Sequence, residues 1–305
     1  MDVPRRRPRA LVTGGSGFVG RPTVMALVER GWEVHVATRG GVAPQATPHR
    51  FDLLREDAGE LVRAIAPDAI LHLAWRVEPR KFWTDPANLD WVAASLRLAR
   101  AAAEGGVRRF VGVGTCYEYD WPNDAPCFEG VTPLAAHTLY DTTKAALAAI
   151  LRRYFADAGV GFAWARPFHL FGAGEDTRRF VASVARALVR GEPALCTRAL
   201  PIHDFLDARD AGAALAAVVA SDYCGDVNIG SGAPVRLADV AETLADLVGR
   251  RDLLRLGALP DRLNEPLFVV ADTRILREKI GFAPQFELRA GLAAAIEDCR
   301  SRRET

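Results

Sequence analysis

Tyr140 and Lys144 are the residues whose types and spacing most directly indicate chemistry in this sequence. A separation of four positions on a helix places two side chains next to each other on one face. A free tyrosine has a pKa of about 10, which is too high for proton transfer at neutral pH. A fixed ammonium beside the phenol favours the phenolate and lowers that pKa. The pair therefore predicts a tyrosine that serves as a general acid or base.

A glycine-rich segment at residues 13–20 carries a second chemical signal. It follows a short apolar run and opens a helical pattern. Gly14 permits a tight turn, Gly17 leaves space for a pyrophosphate, and Gly20 lets the helix pack closely on the strand. The start of such a helix offers free backbone N–H groups to phosphates. The motif therefore predicts a dinucleotide site, to which we assign Gly14, Gly17, Phe18, Val19 and Gly20.

The end of the second predicted strand discriminates between the two nicotinamide dinucleotides. Eighteen residues past Gly20, where an acidic side chain would bind a ribose 2′-hydroxyl, the sequence has Thr38 followed by Arg39. A carboxylate would repel a 2′-phosphate, whereas a guanidinium pairs with it through two hydrogen bonds. We therefore expect NADP(H) rather than NAD(H), with Asp52 and Leu53 at the adenine.

The composition is that of an ordinary globular protein. The chain has 305 residues, of which 50% are apolar and 25% charged, and its formal net charge is +1. This balance gives no reason to expect nucleic acid as a partner, and the apolar runs are shorter than the roughly 20 residues that a membrane span needs. The cysteines lack CxxC spacing and the histidines lack HxH or HxxxH spacing, so we expect no metal site. A reducing cytoplasm is the expected location.

Short apolar runs alternate with longer helical patterns, which indicates how these residues are positioned. Strands are predicted at 10–12, 33–38, 69–73, 109–113, 161–165, around 195 and at 227–229; helices are predicted at 19–29, 90–103, 139–158, 179–189, 208–220 and 237–248. The alternation predicts an α/β fold with a Rossmann-like, doubly wound parallel sheet. We expect residues 1–167 to form the dinucleotide-binding domain. Residues 168–305 would form a smaller α/β substrate-binding part, interleaved with the sheet edge, with ligands in the crevice between the two.

Taken together, these motifs resemble the extended short-chain dehydrogenase/reductase family, which contains nucleotide-sugar epimerases, dehydratases and ketoreductases. The resemblance runs from about residue 9 to 300 and includes the segment LHLA at 71–74, Arg166 and Pro167. It implies that Tyr140 is the acid/base and that Lys144 binds the nicotinamide ribose. It also implies that Thr115, at the end of the fourth predicted strand, donates a hydrogen bond to the substrate oxygen.

The same resemblance implies further contacts. On the cofactor side these are Leu73, Ala74, Trp75, Pro167 and His169, in addition to Tyr140 and Lys144. On the substrate side they are Arg76, Trp83, Thr115, Tyr117, His169, Arg179, His203 and Arg262. Arg262 matches the arginine with which the family holds a sugar-nucleotide diphosphate, whereas His203 replaces the family's other diphosphate arginine.

Departures from the family pattern narrow the chemistry. Cys116 and Tyr117 stand where sugar dehydratases have an Asp-Glu pair, and Gly174 stands where enzymes that combine epimerisation with reduction have a histidine. Both chemistries are therefore disfavoured. The expected activity is an NADPH-dependent reductase of the keto group, at C4, of a nucleotide-activated 4-keto-6-deoxyhexose in deoxysugar biosynthesis. The alternatives are an NAD-dependent nucleotide-sugar 4-epimerase and a non-catalytic dinucleotide-sensing regulator; the intact pair of Tyr140 and Lys144 speaks against the regulator.

Two predicted helices also suggest an assembly. The helices at 90–103 and 139–158 contain more alanine and leucine than one buried stripe requires, and the excess would be exposed in a monomer. Relatives in the resembled family commonly dimerise through this helix pair. We therefore expect a two-fold symmetric homodimer through these helices.

Overall fold

The computed structural model describes residues 6–41, 45–122, 124–261 and 265–302. Its helices are α1 (Gly20–Glu29), α2 (Ala58–Ile65), α3 (Ala87–Glu104), α4 (Leu139–Ala158), α5 (Phe180–Arg190), α6 (Ala208–Ala220), α7 (Leu237–Val248) and α8 (Leu288–Ser301). Its strands are β1 (Arg9–Thr13), β2 (Glu33–Thr38), β3 (Thr47–Arg50), β4 (Ala69–His72), β5 (Arg109–Val113), β6 (Gly161–Pro167), β7 (His169–Phe171), β8 (Ala194–Leu195), β9 (Ile202–Asp207), β10 (Gly225–Ile229), β11 (Pro234–Arg236), β12 (Leu254–Arg255) and β13 (Phe268–Val269).

A seven-stranded parallel sheet organises the molecule and confirms the predicted fold class. Its strand order is β10-β6-β5-β4-β1-β2-β3. The middle strands β4 and β5 are buried along their whole length, as expected for a sheet covered on both faces. The strand order reverses between β1 and β4, so a crevice opens at the carboxyl ends of these strands.

Helices cover both faces of this sheet. On one face, α1 packs against α6, and Leu27 and Leu215 lie in the hydrophobic core beneath them. On the other face, α2, α3 and α4 bury a second core that includes Leu98 and Leu147. Within the described residues, no helix combines the length and the apolar character that crossing a bilayer needs.

The chain beyond residue 167 builds a smaller unit and then returns to the large sheet. Strand β9 pairs with β7, β11 and β13, and helices α5, α7 and α8 enclose a third core. Between these elements, α6 joins one face of the large sheet and β10 extends its edge beside β6. The division of the chain at residue 167 into two domains stays a prediction.

Candidate active site

A cleft of about 1530 Å³ runs along the carboxyl ends of the central strands. The structure brings all the predicted cofactor residues together on its surface. These are Gly14, Gly17, Phe18, Val19, Gly20, Thr38, Arg39, Asp52, Leu53, Leu73, Ala74, Trp75, Tyr140, Lys144, Pro167 and His169. The cleft therefore connects the glycine-rich turn after β1 with the predicted acid/base at the start of α4.

Two glycines shape the turn after β1 as the sequence predicts. Gly14 has a φ of +74°, and a Cβ on it would lie 2.8 Å from the backbone nitrogen of Ala74. A Cβ on Gly20 would lie 2.1 Å from the carbonyl oxygen of Gly14, so a side chain there would push α1 off the turn. The exposed backbone and the start of α1 form a cradle that fits the pyrophosphate of a dinucleotide.

His72, at the end of β4, links the turn after β1 to α3 by hydrogen bonds, a role that was not predicted from the sequence. Its Nδ1 lies 2.7 Å from Oγ1 of Thr13, and its Nε2 lies 2.7 Å from Oγ of Ser95. The Thr13 hydroxyl in turn accepts the Ala74 N–H at 3.2 Å. Burial and the nearby charge of Lys144 lower the pKa of His72 to about 3, so the ring stays neutral. The sequence feature that could have indicated this role is the position of His72 within an apolar run.

The end of β2 presents a cation and no carboxylate to the cleft. The Thr38 hydroxyl accepts N–H groups from Gly40 at 3.2 Å and Gly41 at 2.8 Å, which holds the turn after the strand. Arg39 follows on the cleft surface and is exposed. In the described part of the chain, Arg39 forms no ion pair, so its guanidinium is available to a ligand.

Tyr140 is positioned by the first turn of α4 and by an aromatic loop. The backbone N–H of Thr138 donates to the Asp141 carboxylate at 3.0 Å, which caps the helix at this point. The Tyr140 N–H donates to the Trp83 carbonyl at 3.1 Å, and its ring meets that of Phe82 edge-on at 4.7 Å. Trp83 therefore holds the backbone of Tyr140, and Phe82 packs against its ring.

Lys144 lies in the same cleft wall, where its ammonium has two interactions. Nζ donates to the Val113 carbonyl at 2.8 Å and lies 3.8 Å from the centroid of the Trp75 ring, a cation–π contact. Burial lowers the pKa of Lys144 to about 7, and the charge of Glu118 raises it in part. Lys144 is thus a buried amine whose pKa lies close to neutral pH.

The ionisation of Tyr140 differs from the sequence prediction. Burial raises the pKa of Tyr140 well above its usual value, the charge of Glu118 raises it further, and a hydrogen bond with Thr115 lowers it in part. The ammonium of Lys144 donates to the Val113 carbonyl and lies over the Trp75 ring. Tyr140 is therefore a protonated phenol at neutral pH, which suits a proton donor.

Trp83, Tyr117 and His169 form an aromatic wall beyond Tyr140. The Trp83 and Tyr117 rings meet edge-on at 4.7 Å, and the Tyr117 hydroxyl lies 3.3 Å from Nε2 of His169. His169 stacks on His203 with ring centroids 4.0 Å apart. Burial, His203 and Arg179 hold the pKa of His169 well below its usual range. The wall is therefore neutral and suited to stacking on an apolar face of a ligand.

The predicted substrate cations are not all in the cleft. Arg179 lines it, and its Nε lies 3.4 Å from a carboxylate oxygen of Glu175, whose pKa is raised by burial to about 7. Arg76 turns instead towards Glu78, 3.2 Å away, and lies outside the lining. His203 also lies outside it, because β9 buries its ring beneath His169.

Two residues singled out in the sequence remain, namely the predicted substrate cation Arg262 and Cys116 at the position of the first acidic residue of the dehydratases. Arg262 lies outside the described residues. Cys116 is buried, and burial raises the pKa of its thiol well above the usual value, so it is an inert neutral group. Thr115 and Tyr117, on either side of it, both line the cleft.

Comparison with known proteins relates this geometry to a family. Residues 10–230 match the model of the NAD dependent epimerase/dehydratase family. The chain is 27% identical to GDP-6-deoxy-D-mannose reductase of Pseudomonas aeruginosa, over 96% of the chain and 98% of that protein. It is 26% identical to UDP-glucuronic acid decarboxylase 1 of Arabidopsis thaliana, over 99% of the chain and 72% of that protein. Its fold matches the UDP-glucose 4-epimerase of Thermus thermophilus in complex with NAD with a TM-score of 0.84 and 24% identity, over 96% of this chain and 99% of that one.

Proposed function

Because the chain belongs to the NAD-dependent epimerase/dehydratase family, we propose that it is an NADPH-dependent reductase. Its substrate would be the C4 keto group of a nucleotide-activated 4-keto-6-deoxyhexose, an intermediate of deoxysugar biosynthesis. The observation that carries the proposal is the end of β2, where Thr38 and Arg39 line the cleft in place of a carboxylate. A 2′-phosphate would meet a cation and no carboxylate at this end of β2. NADPH is the dinucleotide that cells use as a consumed reductant. The similarity to GDP-6-deoxy-D-mannose reductase supports the same activity.

The chain's own residues suit reduction of a carbonyl. NADPH, when bound, supplies the hydride. The Thr115 hydroxyl would donate a hydrogen bond to the carbonyl oxygen, and Tyr140 would donate the proton that this oxygen takes up. The raised pKa of Tyr140 keeps the phenol protonated, which is the form that reduction consumes. Lys144 would hold the ribose and place a positive charge near the phenolate that forms.

The substrate half of the cleft favours a sugar with a charged attachment. Trp83 and Tyr117 offer aromatic faces to the apolar side of a pyranose ring. Arg179 lines the cleft and offers its guanidinium to a diphosphate. Guanidinium groups commonly bind phosphates through paired hydrogen bonds. Binding of a nucleotide-diphosphate sugar therefore does not depend on His203 in this proposal.

The test is a panel of dTDP-, CDP-, GDP- and UDP-linked 4-keto-6-deoxysugars, incubated with NADPH while its absorbance is followed. We expect NADPH to be oxidised with at least one of them and the product to be a 6-deoxyhexose. No oxidation with any member of the panel would exclude the reductase.

Two alternatives have distinct outcomes. An NAD-dependent 4-epimerase would interconvert UDP-glucose and UDP-galactose without net change in dinucleotide absorbance, using retained NAD. A non-catalytic, dinucleotide-sensing regulator would bind NADPH and turn over no member of either set. The Thr115, Tyr140 and Lys144 cluster on the cleft favours the enzymes.

Arg39→Ala is expected to weaken NADPH binding by on the order of 1.5–3 kcal/mol, the range for hydrogen bonds to charged groups. NADH binding should change far less, because NADH lacks the phosphate that the guanidinium would contact. Titration calorimetry with both cofactors measures the difference. Arg50→Ala, at the exposed end of β3 and outside the cleft lining, is the matched control. Equal weakening of both cofactors would show that Arg39 does not distinguish them.

A homodimer through α3 and α4 is part of the proposal. The two helices lie side by side, and their exposed positions include alanines as well as charged residues such as Arg97, Arg100 and Arg153. Ala93, Ala146 and Ala149 are exposed there, together with Ile150. Most of the alanine and leucine that the sequence predicted to be exposed is instead buried in the core of the chain itself, namely Ala94, Leu98, Ala99, Ala101 and Ala102 of α3 and Leu147, Ala148 and Leu151 of α4.

The double variant Ala93→Arg/Ala149→Arg is therefore expected to be monomeric while the parent is a dimer, because two charges would be buried at the interface. Light scattering gives the masses. Ala233→Arg, on an exposed loop elsewhere, should leave the parent mass unchanged. A monomeric parent, or a double variant of unchanged mass, would rule out this interface.

A cytoplasmic location also belongs to the proposal, because all five cysteines are free thiols.

A further inference from the structure

Glu118 is a buried carboxylate directly behind the active-site threonine, and neither the reaction nor the cleft lining uses it. Its side chain is fully buried. One oxygen accepts the Thr115 N–H at 3.0 Å, and the other accepts Nε–H of Arg166 at 2.7 Å. The indole N–H of Trp164 lies 3.1 Å from both oxygens. Every donor around this carboxylate is itself buried.

The backbone reserves space for this carboxylate. A Cβ on Gly114 would lie 2.1 Å from Oε1 of Glu118 and 2.3 Å from Nε1 of Trp164, so only glycine fits before Thr115. Arg166 also pairs with Asp226 at 2.9 Å, so one guanidinium is shared by two carboxylates. Apolar residues of similar volume usually serve stability as well as a buried ion pair does. The stability of the fold therefore does not explain why this pair is here.

The carboxylate controls the geometry of Thr115. Residues Cys116–Glu118 form one short 3₁₀ turn that begins with a capping box between Thr115 and Glu118. Glu118 accepts the Thr115 N–H, while Oγ1 of Thr115 accepts the Tyr117 N–H at 3.3 Å. This second bond restrains the Thr115 side chain and occupies a lone pair of its oxygen, which leaves the hydroxyl proton available for donation outside the turn, where Thr115 and Tyr140 share a side-chain hydrogen bond.

We propose that Glu118 is a positioning residue whose carboxylate, locked by Arg166, fixes Thr115 so that its hydroxyl donates to the reacting oxygen beside Tyr140. The inference rests on the proposed function only for the identity of that oxygen. The hydrogen bond between Glu118 and Thr115 can be measured without any substrate.

The substrate-free test follows the Thr115 amide in protein with ¹⁵N-labelled threonine. In Glu118→Ala the Thr115 amide proton should shift upfield and exchange faster, because its charged acceptor is gone. Asp226→Asn is the matched control, since it removes the other carboxylate of Arg166 and leaves the Thr115 contact intact. An unchanged Thr115 amide in Glu118→Ala, or an equal change in Asp226→Asn, would overturn the proposal. Failure of the reductase assignment would not affect this measurement.

Kinetics with the nucleotide sugar that the panel identifies supply the second readout. We expect kcat of Glu118→Ala to fall about 100-fold, the cost typical of a misplaced catalytic group, while KM for NADPH stays within about twofold. Glu118→Gln keeps an acceptor for the Thr115 N–H and should recover part of the loss. Asp226→Asn should keep kcat within about twofold. A kcat of Glu118→Ala close to that of the parent would contradict the proposal.

The pH profile of kcat adds a third readout, which would not change if Glu118 only stabilised the fold. The charged and titratable groups that face Tyr140 and Lys144 are Glu118 and Cys116 from the short turn, Arg179 from the start of α5 and His72 from β4. Because Glu118 raises the pKa of both Tyr140 and Lys144, its neutralisation should move the alkaline limb of the kcat profile to lower pH. If Glu118→Ala fails to fold with Arg166 unpaired, Glu118→Ala/Arg166→Leu removes both charges and takes its place in each measurement.

Discussion

Replacing Tyr140 with phenylalanine is expected to lower kcat by about 10²–10⁴-fold, the range for a lost general acid. The phenylalanine ring keeps the edge-on contact with Phe82, so the aromatic packing and the melting temperature should be preserved. The dissociation constant for NADPH should also be preserved, because the cradle at the glycine-rich turn is untouched. Steady-state kinetics, calorimetry and thermal melting measure the three quantities.

The matched control for this experiment is Tyr154→Phe. Tyr154 lies on the same helix, is only partly buried and packs beside Phe155, away from the cleft. Its loss of a hydroxyl should leave kcat unchanged. If Tyr140→Phe retained activity within about threefold of the parent, another group would have to supply the proton.

Lys144→Met is expected to have two opposite effects. Activity should be lost, because the charge beside the developing phenolate and the contact to the ribose disappear. Stability of the protein without cofactor should rise by on the order of 2 kcal/mol, because a buried ammonium is replaced by an apolar side chain of similar length. The loss of the cation–π contact with Trp75 is already subtracted from this value.

The pH dependence of this gain has a definite sign. The pKa of Lys144 is about 7 in the folded chain and 10.5 in its ordinary state, so between these values the unfolded chain binds the extra proton. The destabilisation by Lys144 is therefore complete below pH 7 and fades as the pH rises towards 10.5. The advantage of Lys144→Met should fade over the same interval. Chemical denaturation at several pH values measures it.

Lys81→Met is the control, because Lys81 is exposed and, within the described residues, pairs with the partly exposed Glu78. Its effect on the unfolding free energy should stay within about 0.5 kcal/mol at every pH. A Lys144→Met variant that is less stable than the parent at neutral pH would show that the ammonium is better solvated than its surroundings indicate.

The elements with a clear hydrophobic period could be predicted from the sequence with their boundaries. Strands β2 and β5 and helices α4, α6 and α7 begin and end at the predicted residues. Strand β3 could not be predicted, since its residues Thr47–Arg50 are polar and include a proline that an edge strand tolerates. Strand β9 also escaped prediction, because it buries Asp204.

Asp204 shows why a strand with a buried polar residue cannot be recognised from its own short sequence. Its carboxylate accepts N–H groups from Ser231, Gly232 and Ala271, all distant in sequence. Glu118 is a similar case, since its partners Trp164 and Arg166 lie more than forty positions away. Cofactor residues were easier to predict because the glycine spacing and the Tyr140–Lys144 spacing are local. Partners that exist only after folding leave no pattern in a single sequence.

The return of the chain to the large sheet has a consequence for synthesis on the ribosome. When residue 167 emerges, β6 is an open sheet edge, and the apolar face of α1 around Leu27 has no cover. Both are covered only when α6 and β10, ending at Ile229, have been made. An open edge and an apolar face on a nascent chain invite association with other chains. Translation through this interval is therefore the stage at which chaperone binding should matter most, and slow codons before residue 229 would prolong it.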